Sequence, residues 1–89
     1  MRIVFTKKAW ADYVWWIDHD RNELGRINAL IENASRHPSS GIGKPAPLKG
    51  ELKGFWSRRI SKEHRLVYRV EGAGEAQSLV IVACRRHYT

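Results

Sequence analysis

Several features that would widen the range of functions are missing from this sequence. It has one cysteine, Cys84, so no intrachain disulfide is available, in keeping with a reducing compartment. Cys84 sits in the apolar run LVIVAC, where a small buried core residue is a better reading than a nucleophile. No apolar stretch approaches the roughly 20 residues of a membrane span, and Ile3-Val4-Phe5 after Arg2 is too short for a signal sequence. A cytoplasmic protein without a membrane partner is expected. The four histidines, His19, His37, His64 and His87, are widely spaced and have no paired cysteines beside them. Neither a metal nor a cofactor is assigned. Acidic residues are scarce, 9 against 16 Lys and Arg, which leaves a formal net charge of +7 and a pI near 10.1. On so small a protein this implies positive potential over much of the surface, with nucleic acid the leading anionic partner and a soluble basic protein with scattered lysines the bland alternative.

Apolar material is present in quantity. Hydrophobic residues make up 43% of the 89 residues and include four tryptophans, enough for one core, so residues 1–89 are expected to form a single domain. Arg2 to Phe5 reads as a short strand and Thr6 as a helix N-cap. Trp10, Tyr13, Val14 and Ile17 fall on one helical face, and that helix should end near His19 or Asp20. Leu24, Ile27, Leu30, Ile31 and Ala34 repeat the period in a second helix, which His37-Pro38 ends. The following SSGIGKPAPLKGELKG has no apolar period and reads as a surface loop. From Phe55 the pattern becomes a meander of FWSRRI, EHRLVYRV and SLVIVACR. The expected fold is α+β, with two N-terminal helices packed on one face of a four- to five-stranded, mostly antiparallel sheet.

Strand alternation puts Leu66, Tyr68 and Val70 toward the helices and Arg65, Val67 and Arg69 on the opposite face; Arg58 and Arg59 point opposite ways, so one of them joins that open face. A solvated face with ion pairs to Glu63 or Glu75 would account for any one of these arginines. The loop adds Lys44, Lys49 and Lys53, and the chain closes with RRHYT. His87 can titrate near neutral pH and Tyr88 can stack on a base. Histidine beside arginines suits RNA cleavage in which a 2′-oxygen attacks its own phosphate, guanidiniums hold the developing charge and an acid protonates the leaving oxygen.

The segments GIGKPxPLKGEL, GFWSRRI, EHRLVYRV and the terminal RxHY, in this order, resemble the YoeB (Txe) toxins of the RelE superfamily of bacterial toxin–antitoxin systems. The resemblance implies a RelE-like fold and a ribosome-dependent endoribonuclease that cuts mRNA in the decoding A site and stops translation. It implies control by a small cognate antitoxin, YefM-like, whose C-terminal segment covers the site. By the same resemblance Arg65 stabilises the cleaved phosphate, His87 is the general acid, Lys49 and Arg59 contact substrate phosphates, Tyr88 orients the substrate, and Glu63 supports the site by pairing with basic neighbours; Lys44, from the basic loop itself, is expected to bind RNA beside them.

The loop departs from the family pattern at one position. Where the family reads KPEPLK, with its glutamate as general base, this chain reads KPAPLK. Loss of a general base typically costs about 10²- to 10⁴-fold in rate. Three readings stay open: another base such as Glu51 or Glu63 takes over with weaker cleavage, Ala46 is an engineered change that tames a toxic protein, or the chain binds the ribosome without cutting. The last is a non-cleaving ribosome- or RNA-binding translation inhibitor. A DNA-binding repressor subunit fares worse, since no helix shows a basic recognition face. Codon preference and oligomeric state, a homodimer included, are not legible.

Overall fold

Two side chains set the helical part of the chain. The Thr6 hydroxyl accepts from the Ala9 N–H at 3.1 Å, and α1 runs Lys7–His19. Asp20 then serves two helices at once: its backbone N–H closes α1 on the Trp16 carbonyl at 2.9 Å, and its carboxylate accepts from the N–H groups of Asn22 and Glu23 at the start of α2, Arg21–Arg36. The strands are β1 Arg2–Phe5, β2 Ala46–Pro47, β3 Trp56–Arg59, β4 Arg65–Glu71 and β5 Ser78–Ala83. They form one five-stranded sheet of order β1-β5-β4-β3-β2, antiparallel except for the β1–β5 pair. The computed structural model describes residues 1–87, and none of its helices is long and apolar enough to cross a membrane.

The helices cover one face of the sheet. Ala9, Trp16, Ile27, Leu30, Ile31 and Ala34 pack with Leu66, Tyr68, Leu79, Ile81 and Cys84 in one apolar cluster. The α2 stripe is the expected one. The α1 stripe is not: Ala9, Asp12 and Trp16 are its buried residues, whereas Trp10 is 53% and Val14 37% exposed. The reason is polar. Cys84, at the end of β5, needs partners for both backbone groups, and the Asp12 carboxylate accepts its N–H at 3.1 Å while the Trp16 indole donates to its carbonyl at 2.8 Å. That pins the Asp12–Trp16 face inward. Trp10 is left to stack on Tyr13 at 5.7 Å and meet Phe5 edge-on, lining a groove of about 430 Å³ with Ile3.

The predicted surface loop is a correction too. Its middle adds the edge strand β2, with Ala46 paired to Ser57 and Pro47 to Trp56, a place that tolerates proline because an edge residue can spare its donor. What organises the loop is Arg58, which is wholly buried. Its Nε donates to the Tyr68 hydroxyl at 3.0 Å. One terminal nitrogen donates to Asn33 Oδ1 and the Ile42 carbonyl, the other to the carbonyls of His37 and Ser40. Tyr68 in turn donates to the Pro38 carbonyl. Gly43 lets the backbone lie against this cluster: at φ 81°, a Cβ there would meet Leu30 Cδ2 at 2.6 Å and Arg58 Cβ at 3.2 Å.

Replacing Arg58 by alanine leaves several buried acceptors unpaired and should lower the unfolding free energy by about 3–5 kcal/mol. Urea denaturation followed by circular dichroism tests this; a loss below about 1 kcal/mol would mean that water replaces the network.

Candidate nucleic-acid interface

Alternation along β3 sends Arg58 into the helix-side core and leaves Arg59 on the other face, exposed. Arg59 is directly paired with Arg65 across β3 and β4. Like charges in such a pair repel, and among the described residues neither guanidinium takes part in an ion pair. Arg65 is half-buried and held in place: one terminal nitrogen donates to the carbonyls of Ser61, Lys62 and His64 at 2.7, 3.2 and 3.0 Å. Its Nε and second terminal nitrogen make no hydrogen bond within residues 1–87, so a fork remains for an anion.

The other cations fall around this pair. The Arg59 N–H donates to the Gly43 carbonyl at 2.7 Å, which brings the exposed Lys44 alongside. Ala46, opposite Ser57 on the open face, is exposed one row further along. Lys49, also exposed, lies at the far end of the β2–β3 hairpin, next to the 3-10 turn Gly50–Leu52 that carries Glu51. Beneath them Leu48, Val67 and Val80 are buried on the open face, giving it an apolar floor. Glu63 is exposed in the turn between β3 and β4, on the Arg65 side. No ion pair joins it to a described residue, so the expected pairing with basic neighbours is absent; the turn carbonyls satisfy Arg65 instead.

Arg69 does not join the cradle. Its Nε pairs with Glu71 and its guanidinium lies 5.3 Å from the Phe55 ring centroid. Of the four arginines on β3 and β4, Arg58 thus belongs to the fold and Arg69 to a local pair, which leaves Arg59 and Arg65.

The segment after β5 returns to the same end of the sheet. Cys84 is held by Asp12 and Trp16 as described, the Arg85 guanidinium lies 3.8 Å from the Trp15 ring centroid, and the Arg86 N–H donates to His64 Nδ1 at 2.7 Å. The Arg86 carbonyl accepts from the Arg65 N–H at 3.0 Å. His87 follows at once and is exposed. Tyr88 lies outside the described residues. Among those residues no three His, Cys, Asp or Glu side chains converge as metal ligands.

The supporting roles of Asp12, His64 and Arg86 were not foreseen. One pattern could have shown the first: Asp12 shares the helical stripe of Ala9 and Trp16, and a carboxylate buried there needs a donor. Cys84 is no part of the chemistry. Burial and the nearby Asp12 carboxylate push its thiol up to about 12, against a smaller opposing effect of Lys8.

The fold has close counterparts. A family model described as YoeB-like toxin of bacterial type II toxin–antitoxin system matches residues 5–88. Toxin YoeB of Streptomyces coelicolor is 52% identical over 88 residues, 99% of this chain and 100% of that protein. The solved YoeB/ParE toxin from Agrobacterium tumefaciens superposes with a TM-score of 0.94 at 51% identity, covering 99% of this chain and 100% of that one. YoeB of Staphylococcus aureus, solved as a dimer and in a heterotetrameric complex with YefM, superposes at 0.86 and 0.85 with 38% identity, covering 99% and 98% of the respective chains.

Burial and the nearby Asp12 carboxylate keep the Cys84 thiol protonated at pH 8. Folded protein should therefore resist a thiol reagent that labels it at once in urea. Rapid labelling without denaturant would show that the end of β5 opens readily.

Proposed function

The chain belongs to the YoeB-like toxins of bacterial type II toxin–antitoxin systems, and from that premise we propose that it is a ribosome-dependent mRNA endoribonuclease. It acts in the cytoplasm, cuts mRNA in the ribosomal A site, inhibits translation and is neutralised by a cognate YefM-like antitoxin. The observation that carries this reading is the directly paired Arg59 and Arg65, without a carboxylate between them, at the sheet end where the backbone of Arg86 is tied to Arg65. Two facing guanidiniums without a counterion are a cost to the free fold that a phosphate removes.

In the proposed reaction the 2′-oxygen attacks the adjacent phosphorus as its proton leaves to a base. The O2′–P bond forms, the P–O5′ bond breaks, and His87 protonates the departing 5′-oxygen, leaving a cyclic phosphate and a free 5′-hydroxyl. The free fork of Arg65, with Arg59 beside it, holds the charge that builds on the phosphoryl oxygens. Lys44 and Lys49 hold flanking phosphates, and Tyr88 orients the substrate. Of the two carboxylates that could replace the usual base, Glu63 lies at the Arg65 end and Glu51 at the opposite end of the hairpin. Glu63 is therefore the better base.

A specific observation also favours the second reading, a translation inhibitor that binds the ribosome or RNA without cutting. Position 46 faces the open side beside the arginine pair, and alanine there accepts no proton.

Primer extension on mRNA in programmed ribosomes separates the two. Ala46→Glu should raise cleavage by about 10²-fold or more with little change in ribosome binding; equal cleavage by both proteins would remove position 46 as the base. Arg65→Ala should abolish whatever cutting the chain retains, and Glu63→Gln should lower it far more than Glu51→Gln. If translation stops while no new RNA ends form, the binding reading replaces the nuclease.

A further inference from the structure

His64 has a role that the reaction above leaves unassigned. It lies between β3 and β4, with its ring against Trp16 edge-on at 4.8 Å. Its Nδ1 accepts the Arg86 N–H at 2.7 Å, so the ring proton, in the neutral form, sits on Nε2. Arg86 has φ 66°, a left-handed conformation that is unfavourable for any residue with a Cβ and persists only where its surroundings hold it. The surroundings here are two hydrogen bonds, Arg86 N–H to His64 and Arg65 N–H to the Arg86 carbonyl. This strained turn is the last residue before His87.

The preceding residues are held as firmly. Asp12 and Trp16 bind the two backbone groups of Cys84. Trp15 carries Arg85 on one face and His19 on the other: the two flat groups are 3.8 and 3.9 Å from the same ring centroid, too close to share a face. Residues 84 and 85 therefore arrive in a defined direction, and His64 turns the chain at Arg86.

We propose that His64 is a positioning residue for His87, acting through the left-handed turn at Arg86. It touches no reacting atom. The inference rests on the nuclease reading and on His87 as its acid.

Two replacements divide the functions of the ring. Phenylalanine keeps the contact with Trp16 but has no acceptor; asparagine loses the ring but places an amide oxygen two bonds from Cβ, where Nδ1 stood. Single-turnover cleavage by ribosome-bound protein, in the Ala46→Glu background if needed for signal, is measured beside amide exchange at Arg86. His64→Phe should lower the rate at saturation by about 10- to 100-fold, with half-saturation unchanged, because misplacing a reacting group by about 1 Å costs that much. It should also release the Arg86 amide to exchange. His64→Asn should restore both. If the Phe protein cleaves at the parent rate, or if Phe and Asn lose activity equally, His64 does not act through Arg86 and the proposal falls. His87→Ala, run in parallel, isolates the underlying reading: full activity there would remove His87 as the acid, while the Arg86 exchange data would still report whether His64 holds the turn.

Discussion

Most of the site depends on one buried cation that never meets an anion. Arg58 is enclosed without a carboxylate partner, and its charge is balanced by carbonyl and side-chain oxygens converging from the end of α2, the following loop and β4. Carbonyls leaving a helix C-terminus carry the negative end of its dipole, which favours a cation there. Five donors in a rigid plane can reach five acceptors in different directions, whereas the compact ammonium of lysine cannot. Tyr68 completes the arrangement as acceptor from Arg58 and donor to Pro38. Burial raises its pKa, an effect that outweighs the opposing influence of the guanidinium, so the hydroxyl keeps the proton it donates.

The consequences run outward along the backbone. Once Arg58 points into the core, alternation obliges Arg59 to point out, opposite Arg65. Once the loop carbonyls are drawn onto Arg58, Gly43 lies close enough to accept from the Arg59 N–H, and the chain continues into β2 with Lys44 and Ala46 beside the arginine pair. The same residue thus sets the half of the site that comes from the loop and from β3. The other half comes from the segment after β5, which α1 and His64 hold. The two halves meet at Arg65, whose side chain is fixed by the turn before it and whose N–H is bonded to Arg86.

The sequence disclosed the elements better than the assignments within them. The apolar period of α2, the Thr6 cap, the His37-Pro38 stop and the alternation of β4 all depend on local chemistry, and the structure carries each of them. The arginines could not be sorted this way. Arg58, Arg59, Arg65 and Arg69 look alike in a strand pattern, yet one is core, two face each other and one is paired with Glu71. That division depends on acceptors contributed by residues 33 to 42 and by the chain beyond β5, information that no local window contains. The α1 face failed for a related reason. Trp10 and Val14 are more apolar than Asp12, but the unpaired backbone of Cys84 required a polar partner, and hydrogen-bond satisfaction overrode the hydrophobic pattern.

Net charge alone is a poor guide to where an anion would bind, since cations already engaged contribute little. Lys8 is paired with Asp12, Arg36 with Glu32, Arg69 with Glu71, and Arg85 is spread on Trp15. Arg59, Lys44 and Lys49 have no such partners among the described residues, and they lie along the β2–β3 edge and its open face. Arg65 lies with them, its fork half used by carbonyls. An apolar floor of Leu48, Val67 and Val80 lowers the local dielectric under these groups, which strengthens the attraction each exerts on a phosphate above it. Among the described residues the face thus presents cations without ion pairs over an apolar floor, an arrangement that suits a polyanion whatever side chain stands at position 46. On the proposed reading binding and chemistry are separable, because different segments provide them: Arg59, Arg65 and the loop lysines hold phosphates, while the base, Glu63, lies in the β3–β4 turn and the acid, His87, on the chain after β5.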